Sequence, residues 1–562
     1  MRASAVKAGN ASGVRQRFAR RAAIDEDLLA ALSDPATYPG CSEVHVHETH
    51  ASWVFVAGER VYKVKKPVAF DFLDYTTLAR RHEACREEMR LNSELAPDVY
   101  VGVRAIAKKD HRVRFVREPA REAVEYAVEM RRFREQDTLA GVIAEGVLTY
   151  REVRAAATSV QLFHRRAAIV PGGGSKELLD RWMDNLRGFE RLNRSGEWDL
   201  EQMEEFGHSF VRAHRREIEK RARAGLVRDC HGDLRCEHVL VRPEVRIVDR
   251  VEFDPAVRRL DVGGDLAFLA MDLEAHDRGW AARELIGAYR QAGGDPGSDA
   301  LRAFYGAHWS LVRAKVALIA ASTGAQATAR RGNQAEARVD AEADARAHWE
   351  LAERLCWRAR RPLAILICGP PASGKSVLAT ELSRRSQMDV VRTDEVRKQR
   401  AGLAPTERAR PEHYRDGFTR AVYEQVSREA LMRLHAHKAV IVDAACASRA
   451  QRALLLRRLE RVGSLRVVVR CEVPLDVALE RAARRMGDPG RVSDADPELV
   501  AQRHSAFEPL DELPSGSVLT LNTEQPLDAQ VALIARAVDR RLDRQGLPIG
   551  GGSVSPAGLP DR

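Results

Sequence analysis

Between Glu43 and Lys66 apolar and polar residues alternate: Val44-His45-Val46-His47, then Trp53-Val54-Phe55-Val56, then Arg60-Val61-Tyr62-Lys63-Val64-Lys65. A period of two, broken at Ala57-Gly58-Glu59, predicts half-buried strands joined as a hairpin. Residues 76–95 switch to a helical period rich in Arg and Glu. Two more strands are expected at Val99–Ala107 and Arg112–Arg117, turning at Lys109-Asp110, and another at Val124–Arg131. Residues 137–225 read mainly as helix, interrupted at Pro171-Gly172-Gly173-Gly174. A polar loop with short strands at Val239–Val241 and Val245–Val251 follows, and helices resume near Asp265 and run to about Arg360.

Beyond Arg360-Arg361-Pro362 the pattern changes again. Strand-like runs at Leu363–Cys368, Val390-Val391, Ala439–Val442 and Leu465–Cys471 alternate with helical stretches at 375–385, 413–437, 449–462 and 474–485. Strands alternating with helices predict a mostly parallel sheet, hence an α/β domain. The expected division is a disordered basic tail at 1–22, an α+β domain at 23–322, a helical linker at 323–360, an α/β domain at 361–540 and a disordered tail at 541–562.

The chain has 562 residues, 44% of them hydrophobic, enough for more than one buried core. Its net charge of +10 suits anionic partners such as nucleotides. Most basic residues are interleaved with Glu and Asp, which argues against one concentrated nucleic-acid patch. No stretch reaches the ~18–20 apolar residues that cross a bilayer, and no secretory signal is visible. Eight scattered cysteines do not form a disulfide framework, so a cytoplasmic protein with no membrane partner is expected. Cys230, His231, Cys236 and His238 lie close together, but their spacing matches no common zinc pattern.

Chemistry is concentrated in two places. The first is Gly369-Pro370-Pro371-Ala372-Ser373-Gly374-Lys375-Ser376, between the apolar run Leu363–Ile367 and the helix opening at Val377. Glycines at these positions let backbone N–H groups wrap phosphates at a helix N-terminus. Lys375 is expected on the β/γ-phosphates of ATP and Ser376 on Mg²⁺. The next strand ends in Arg392-Thr393-Asp394-Glu395-Val396-Arg397, where Asp394 can take the proton of an acceptor hydroxyl and Arg397 can hold an acceptor or transferring phosphate. Asp443, closing the third strand, suits Mg²⁺. Arg481, Arg484 and Arg485 precede a stretch, Gly487–Asp496, able to close as a lid, with Arg484 offsetting developing charge. These residues resemble a group of small P-loop kinases that includes polynucleotide kinases, zeta toxins and related AAA-type ATP-binding domains, over about residues 361–540. In the polynucleotide kinases the matching Asp is the general base and the matching Arg contacts the acceptor phosphate.

The second place is His231-Gly232-Asp233-Leu234-Arg235-Cys236-Glu237-His238, followed by Ile247-Val248-Asp249-Arg250-Val251-Glu252-Phe253-Asp254. In kinase chemistry a loop Asp receives the hydroxyl proton, a residue five positions on binds Mg²⁺, and a second acid about eighteen on bridges Mg²⁺ to the phosphates. Asp233, His238 and Glu252 stand at those spacings, with Asp249 and Asp254 competing for the third role. The segment resembles the aminoglycoside phosphotransferase-like kinases over about residues 40–320, and the order of the halves matches bifunctional aminoglycoside phosphotransferase and ATP-binding proteins. The resemblance implies a protein kinase-like α+β domain. It implies that Lys63 or Lys65 is the ATP lysine, that Glu87 or Glu88 pairs with it, and that Glu125–Met130 is the hinge that meets adenine. Two departures stand out: His238 occupies a position where the family usually has Asn, and no Gly-x-Gly-x-x-Gly precedes it.

Three functions are expected in turn. The first is an ATP- and Mg²⁺-dependent phosphotransferase acting on a hydroxyl of a small molecule or nucleic acid. The second is a regulatory ATP-binding protein with an N-terminal pseudokinase sensor. The third is a nucleic-acid 5′-hydroxyl kinase. The acceptor and the oligomeric state are left open by the residues.

Overall fold

A computed structural model describes residues 26–545, apart from 50, 71–72, 110–111, 194–195, 197, 324–333, 461, 486–496 and 515. The expected tail at 1–22, the start of the linker near Ala325 and the lid stretch Gly487–Asp496 lie outside the described residues, as does most of the tail at 541–562. The chain forms two compact units: residues 1–170, 228–295 and 320–340 in the first, and 171–227, 296–319 and 341–562 in the second.

Alternation does form strands in the first unit. These are β1 (Val44–Glu48), β2 (Ser52–Ala57), β3 (Arg60–Lys65), β4 (Tyr100–Lys109), β5 (Arg112–Arg117) and β6 (Ala123–Arg131). They make one antiparallel sheet in the order β1-β2-β3-β6-β4-β5. Helix α1 (Leu78–Asn92), capped by the Thr77 hydroxyl, packs on β6 and β4. The apolar faces of β4 and β6 bury Tyr100, Ala105, Tyr126 and Val128 against Cys85 and Ala96. Only Arg246–Ile247 of the expected strand Val245–Val251 pairs, with Val239–Leu240. The chain leaves the ladder because Asp249 takes a left-handed φ of 61°. Helix α2 (Val262–Ala275) is buried almost all round.

The second unit holds β7 (Leu363–Cys368), β8 (Val390–Arg392), β9 (Ala439–Asp443), β10 (Leu465–Glu472) and β11 (Val518–Asn522). All pair in parallel, in the order β8-β9-β7-β10-β11, with every residue of β7 and β9 buried. Continuous apolar runs of this kind are what a sheet covered on both faces requires. The helices that matter for the site are α3 (Lys375–Ser386), α4 (Thr393–Ala401), α5 (Asp416–His437), α6 (Leu475–Arg485), α7 (Pro497–Ser505) and α8 (Leu527–Gln545). Helix Leu200–Ala213, from far upstream in the chain, packs along α8. Among the described residues no helix is long and apolar enough to cross a membrane.

Candidate functional sites

The parallel register gathers the second unit's chemical groups on one edge. Ile367 pairs with Asp443, and Asp443 with Arg392, so the ends of β7, β9 and β8 lie side by side. The phosphate loop leaves β7 between Gly369 (φ 145°) and Gly374 (φ 87°). A Cβ on Gly369 would stand 2.5 Å from the Cys471 carbonyl oxygen, and one on Gly374 3.2 Å from Thr523. Only glycine fits where a left-handed φ and a close neighbour coincide. Inside the loop the Ser373 hydroxyl is fully buried and lacks a hydrogen-bond partner. Lys375 Nζ donates to the Pro370 carbonyl at 2.7 Å, folding the cation over the loop. An open backbone cradle, an orphaned hydroxyl, a cation and a helix N-terminus fit a nucleotide's phosphates. The Ser376 and Asp443 side chains offer the hard oxygen atoms that Mg²⁺ prefers.

Asp394 stands in the first turn of α4, two residues beyond the end of β8. Arg397 is buried one turn on, stacked 4.5 Å over the Tyr414 ring. It donates to the His413 carbonyl at 2.6 Å and to Thr419 Oγ1 at 3.2 Å, while its Nε lacks a partner. Arg397 is expected to hold an acceptor or transferring phosphate; in the structure its Nη1 is taken by the turn Pro411–Tyr414 and by Thr419, which leaves Nε free of a partner. Arg484 differs more. It is exposed and pairs with Glu480 one turn away on the same helix. Arg481 is the arginine at the loop: it donates to Thr523 Oγ1 and the Thr523 carbonyl at 2.9 and 3.0 Å, and its Nη1 would lie 3.5 Å from a Gly374 Cβ. Helical phase decides this, since α6 buries Ala478 and Ala482 and carries Arg481 on the adjoining stripe. A cavity of about 430 Å³ opens beside Pro370, walled by Arg470, Glu472, Val473, Pro474, His504, Phe507 and Asn522.

The first unit has a second charged group. Lys63 and Lys65 share a face of β3, and Nζ of each meets the buried Glu88 of α1, at 2.9 and 2.5 Å. Lys63 also reaches Asp249 Oδ1 at 2.6 Å, and Lys65 pairs with Glu252, which accepts from the Tyr75 hydroxyl at 2.8 Å. Desolvation alone would lower both lysines, but the facing carboxylates hold them above the usual range. Desolvation would raise Asp249 and Glu252; Lys63 and His238 around the first, and Lys65 and Lys63 around the second, hold both below it. Asp233 sits against Arg235 at 3.0 Å. His238 Nδ1 lies 2.8 Å from the Asp233 carbonyl, and its Nε2 lies 3.6 Å from Asp249 Oδ2. Asp249, rather than Glu252, therefore shares a space with His238. Met130 is buried on β6, paired with Val61 and Tyr100.

Several further residues shape this group. Asp265, fully buried at the start of α2, accepts from the His231 and Gly232 backbone N–H groups at 3.1 and 3.0 Å and from His164 Nε2 at 2.9 Å. Tyr100 Oη accepts from the Asp249 N–H, and Asn92 bonds both backbone groups of Arg250. Asp265 lies in the run Asp261–Ala267, beside the paired glycines 263 and 264 and at the distance expected after the kinase-like loop, whereas Tyr100 and Asn92 carry no such signal. The cysteine-containing groups His164–Cys230–Asp265 and Cys236–Asp272–His276 cluster closely, but Asp265 and Asp272 are engaged by backbone donors.

Sheet order, loop and strand-end acids together define a P-loop kinase-like fold for the C-terminal region. Residues 365–510 match the family model described as AAA domain. Over 470 residues the chain is 31% identical to the uncharacterized protein Rv2004c of Mycobacterium tuberculosis (strain ATCC 25618 / H37Rv), covering 82% of this chain and 89% of that one. An uncharacterized protein of Mycobacterium bovis, Mb2027c, matches to the same extent. The chain belongs to the family of these mycobacterial proteins. Among solved structures it is similar to a gluconokinase from Sinorhizobium meliloti 1021, at 20% identity over 33% of this chain and 95% of that one, with a TM-score of 0.24. It is also similar to the Mycobacterium tuberculosis APS kinase CysC, at 18% identity over 32% of this chain and 98% of that one, with a TM-score of 0.25.

Proposed function

We propose that the C-terminal region is an ATP-dependent phosphotransferase acting on a hydroxyl acceptor. The observation that carries this is the shared strand edge on which the phosphate loop, Asp443 and Asp394 follow three adjacent strands. In this reading Lys375 and the loop amides bind the β/γ-phosphates, Ser376 and Asp443 hold Mg²⁺, and Asp394 takes the acceptor proton. Arg481 neutralises charge from the far side, and Arg397 fixes the turn beside the acceptor. A bound Mg²⁺ would supply charge neutralisation at the phosphates; the chain's own residues bind, orient and accept the proton. The experiment is phosphate transfer from γ-labelled ATP to a panel of polyols, sugars, nucleosides and 5′-hydroxyl oligonucleotides. Asp394→Asn should retain ATP-analogue affinity and lose about 10²–10⁴-fold in transfer. Unchanged transfer would remove Asp394 as base.

The first unit we read as a protein kinase-like nucleotide site, supported by the Lys63–Glu88 pair and by Asp249 beside it. Lys63 suits the ATP lysine better than Lys65 because it alone joins Glu88 to Asp249. A regulatory reading, in which this unit binds nucleotide without turning it over, is favoured by His238 standing against Asp249.

A further inference from the structure

We propose that the nucleotide site of the first unit is built for a nitrogen-tolerant divalent cation of the Mn²⁺ class, with His238 Nε2 and Asp249 Oδ2 as its protein ligands. The inference rests on the nucleotide-site reading above and concerns which ion serves it.

The ring orientation of His238 follows from its partners. Nδ1 lies 2.8 Å from the Asp233 carbonyl oxygen, which can only accept, so Nδ1 carries the proton. In the neutral ring Nε2 then presents a bare lone pair. That lone pair faces Asp249 Oδ2 at 3.6 Å, within the roughly 4.2 Å that two donors about 2.1 Å from one ion can span. Two lone pairs opposed this way repel, and a cation between them removes the repulsion. A histidine whose other nitrogen donates to a carbonyl is the usual arrangement of a metal-bound imidazole.

Asp249 is prepared for the same task. Its Oδ1 is occupied by Lys63 at 2.6 Å, which leaves Oδ2 for an ion. Its left-handed φ of 61° is held by the Tyr100 hydroxyl on its own N–H and by Asn92 clamping Arg250. Strained backbone kept in place by surrounding hydrogen bonds is a mark of a site preorganised for function.

The chemistry of the donors then selects the ion. Mg²⁺ demands oxygen ligands in near-octahedral geometry, whereas imidazole suits first-row transition ions. With carboxylate and phosphate oxygens completing the set, Mn²⁺ meets both demands. A proton on Nε2 would also fill the gap, making His238 a counter-ion to Asp249 that keeps metal out; the experiment separates the two.

The full-length Lys375→Ala protein, with its phosphate loop disabled, is titrated with Mn²⁺ and followed by electron paramagnetic resonance, with and without a non-hydrolysable ATP analogue. Spin-echo modulation from an imidazole ¹⁴N is expected on the bound Mn²⁺ and should vanish in Lys375→Ala/His238→Asn. Displacing Mn²⁺ should need at least ~10-fold more Mg²⁺ in the first protein than in the second. Bound Mn²⁺ without ¹⁴N modulation overturns the proposal even if the double variant fails to fold, and so does equal Mg²⁺ competition in both proteins. Calorimetry of the analogue with Mg²⁺ tests the underlying reading separately. Heat that survives in Lys375→Ala but is lost on adding Lys63→Ala keeps the nucleotide site whichever ion serves it. No heat in Lys375→Ala removes the nucleotide site and the cation proposal together.

Discussion

Glu88 is fully buried between two ammonium groups, an arrangement tolerable only while both partners are present. Removing one partner of a buried pair typically costs ~3–5 kcal/mol, because the other charge is stranded. Lys65→Met should therefore lower the first thermal transition, while Lys63, with its more exposed side chain, should show a smaller loss. Differential scanning calorimetry of the two variants checks the order. His231 gives a pH prediction. It is fully buried and neutral, its Nδ1 accepting the Asp233 N–H and its Nε2 facing the Val248 carbonyl, and burial pushes its pKa down to about 4. The unfolded chain takes up the proton near pH 6.5 and the folded chain only near 4, so stability should fall between those values as pH drops. The depressed Asp249 and Glu252 should erode stability further at more acid pH, as their folded pKa values are approached. Chemical denaturation at pH 7, 5.5 and 4.5 measures the slope; a flat profile down to 4.5 would contradict the neutral His231.

At the scale of elements, much of the fold could be read from pattern. The alternation in Arg60–Lys65 and the continuous apolar runs of Leu363–Cys368 and Ala439–Asp443 appear as strands at nearly the expected bounds. These signals are local: period two, period 3.6, and glycine where φ is positive. What escaped had no local signature. Strand Val518–Asn522 is short and lies at the sheet edge, where one side of the ladder is free to be polar. The choice of Arg481 over Arg484 depends on which stripe of α6 meets the loop, and the choice of Asp249 over Glu252 depends on one left-handed residue. The same logic predicts that Arg481→Ala weakens nucleotide affinity by about tenfold or more, while Arg484→Ala leaves it within about twofold, since an exposed i,i+4 pair is worth only a few tenths of a kcal/mol. Titration calorimetry with an ATP analogue checks both.

At the scale of the whole molecule the chain order misleads. Residues 171–227 precede most of the first unit's loop residues, yet they fold into the second unit. Helix Leu200–Ala213 lies along α8, and Arg360 joins Asp539 of α8 in a fully buried bidentate pair at 2.7 and 2.8 Å, roofed by Phe206 and Trp357. Arg536 reinforces it through Glu201 and Glu205. Association between segments so far apart leaves no trace in composition or periodicity, which is why the sequence shows the P-loop sheet but not what covers it. A fragment spanning residues 361–545 should consequently melt far below the full chain or aggregate, because it loses Arg360 and the helix over α8. Circular dichroism of the two tests this, and equal melting would show that the cover is dispensable.

The proposed function places two nucleotide sites in one chain. The most direct measurement is the calorimetric stoichiometry of a non-hydrolysable ATP analogue, with divalent cation, on wild type, Lys375→Ala and Lys63→Ala. Two sites in wild type and one in each variant is the predicted result. A wild-type titration that Lys375→Ala leaves unchanged would contradict it at its centre, because the phosphate loop would then not be where the nucleotide binds.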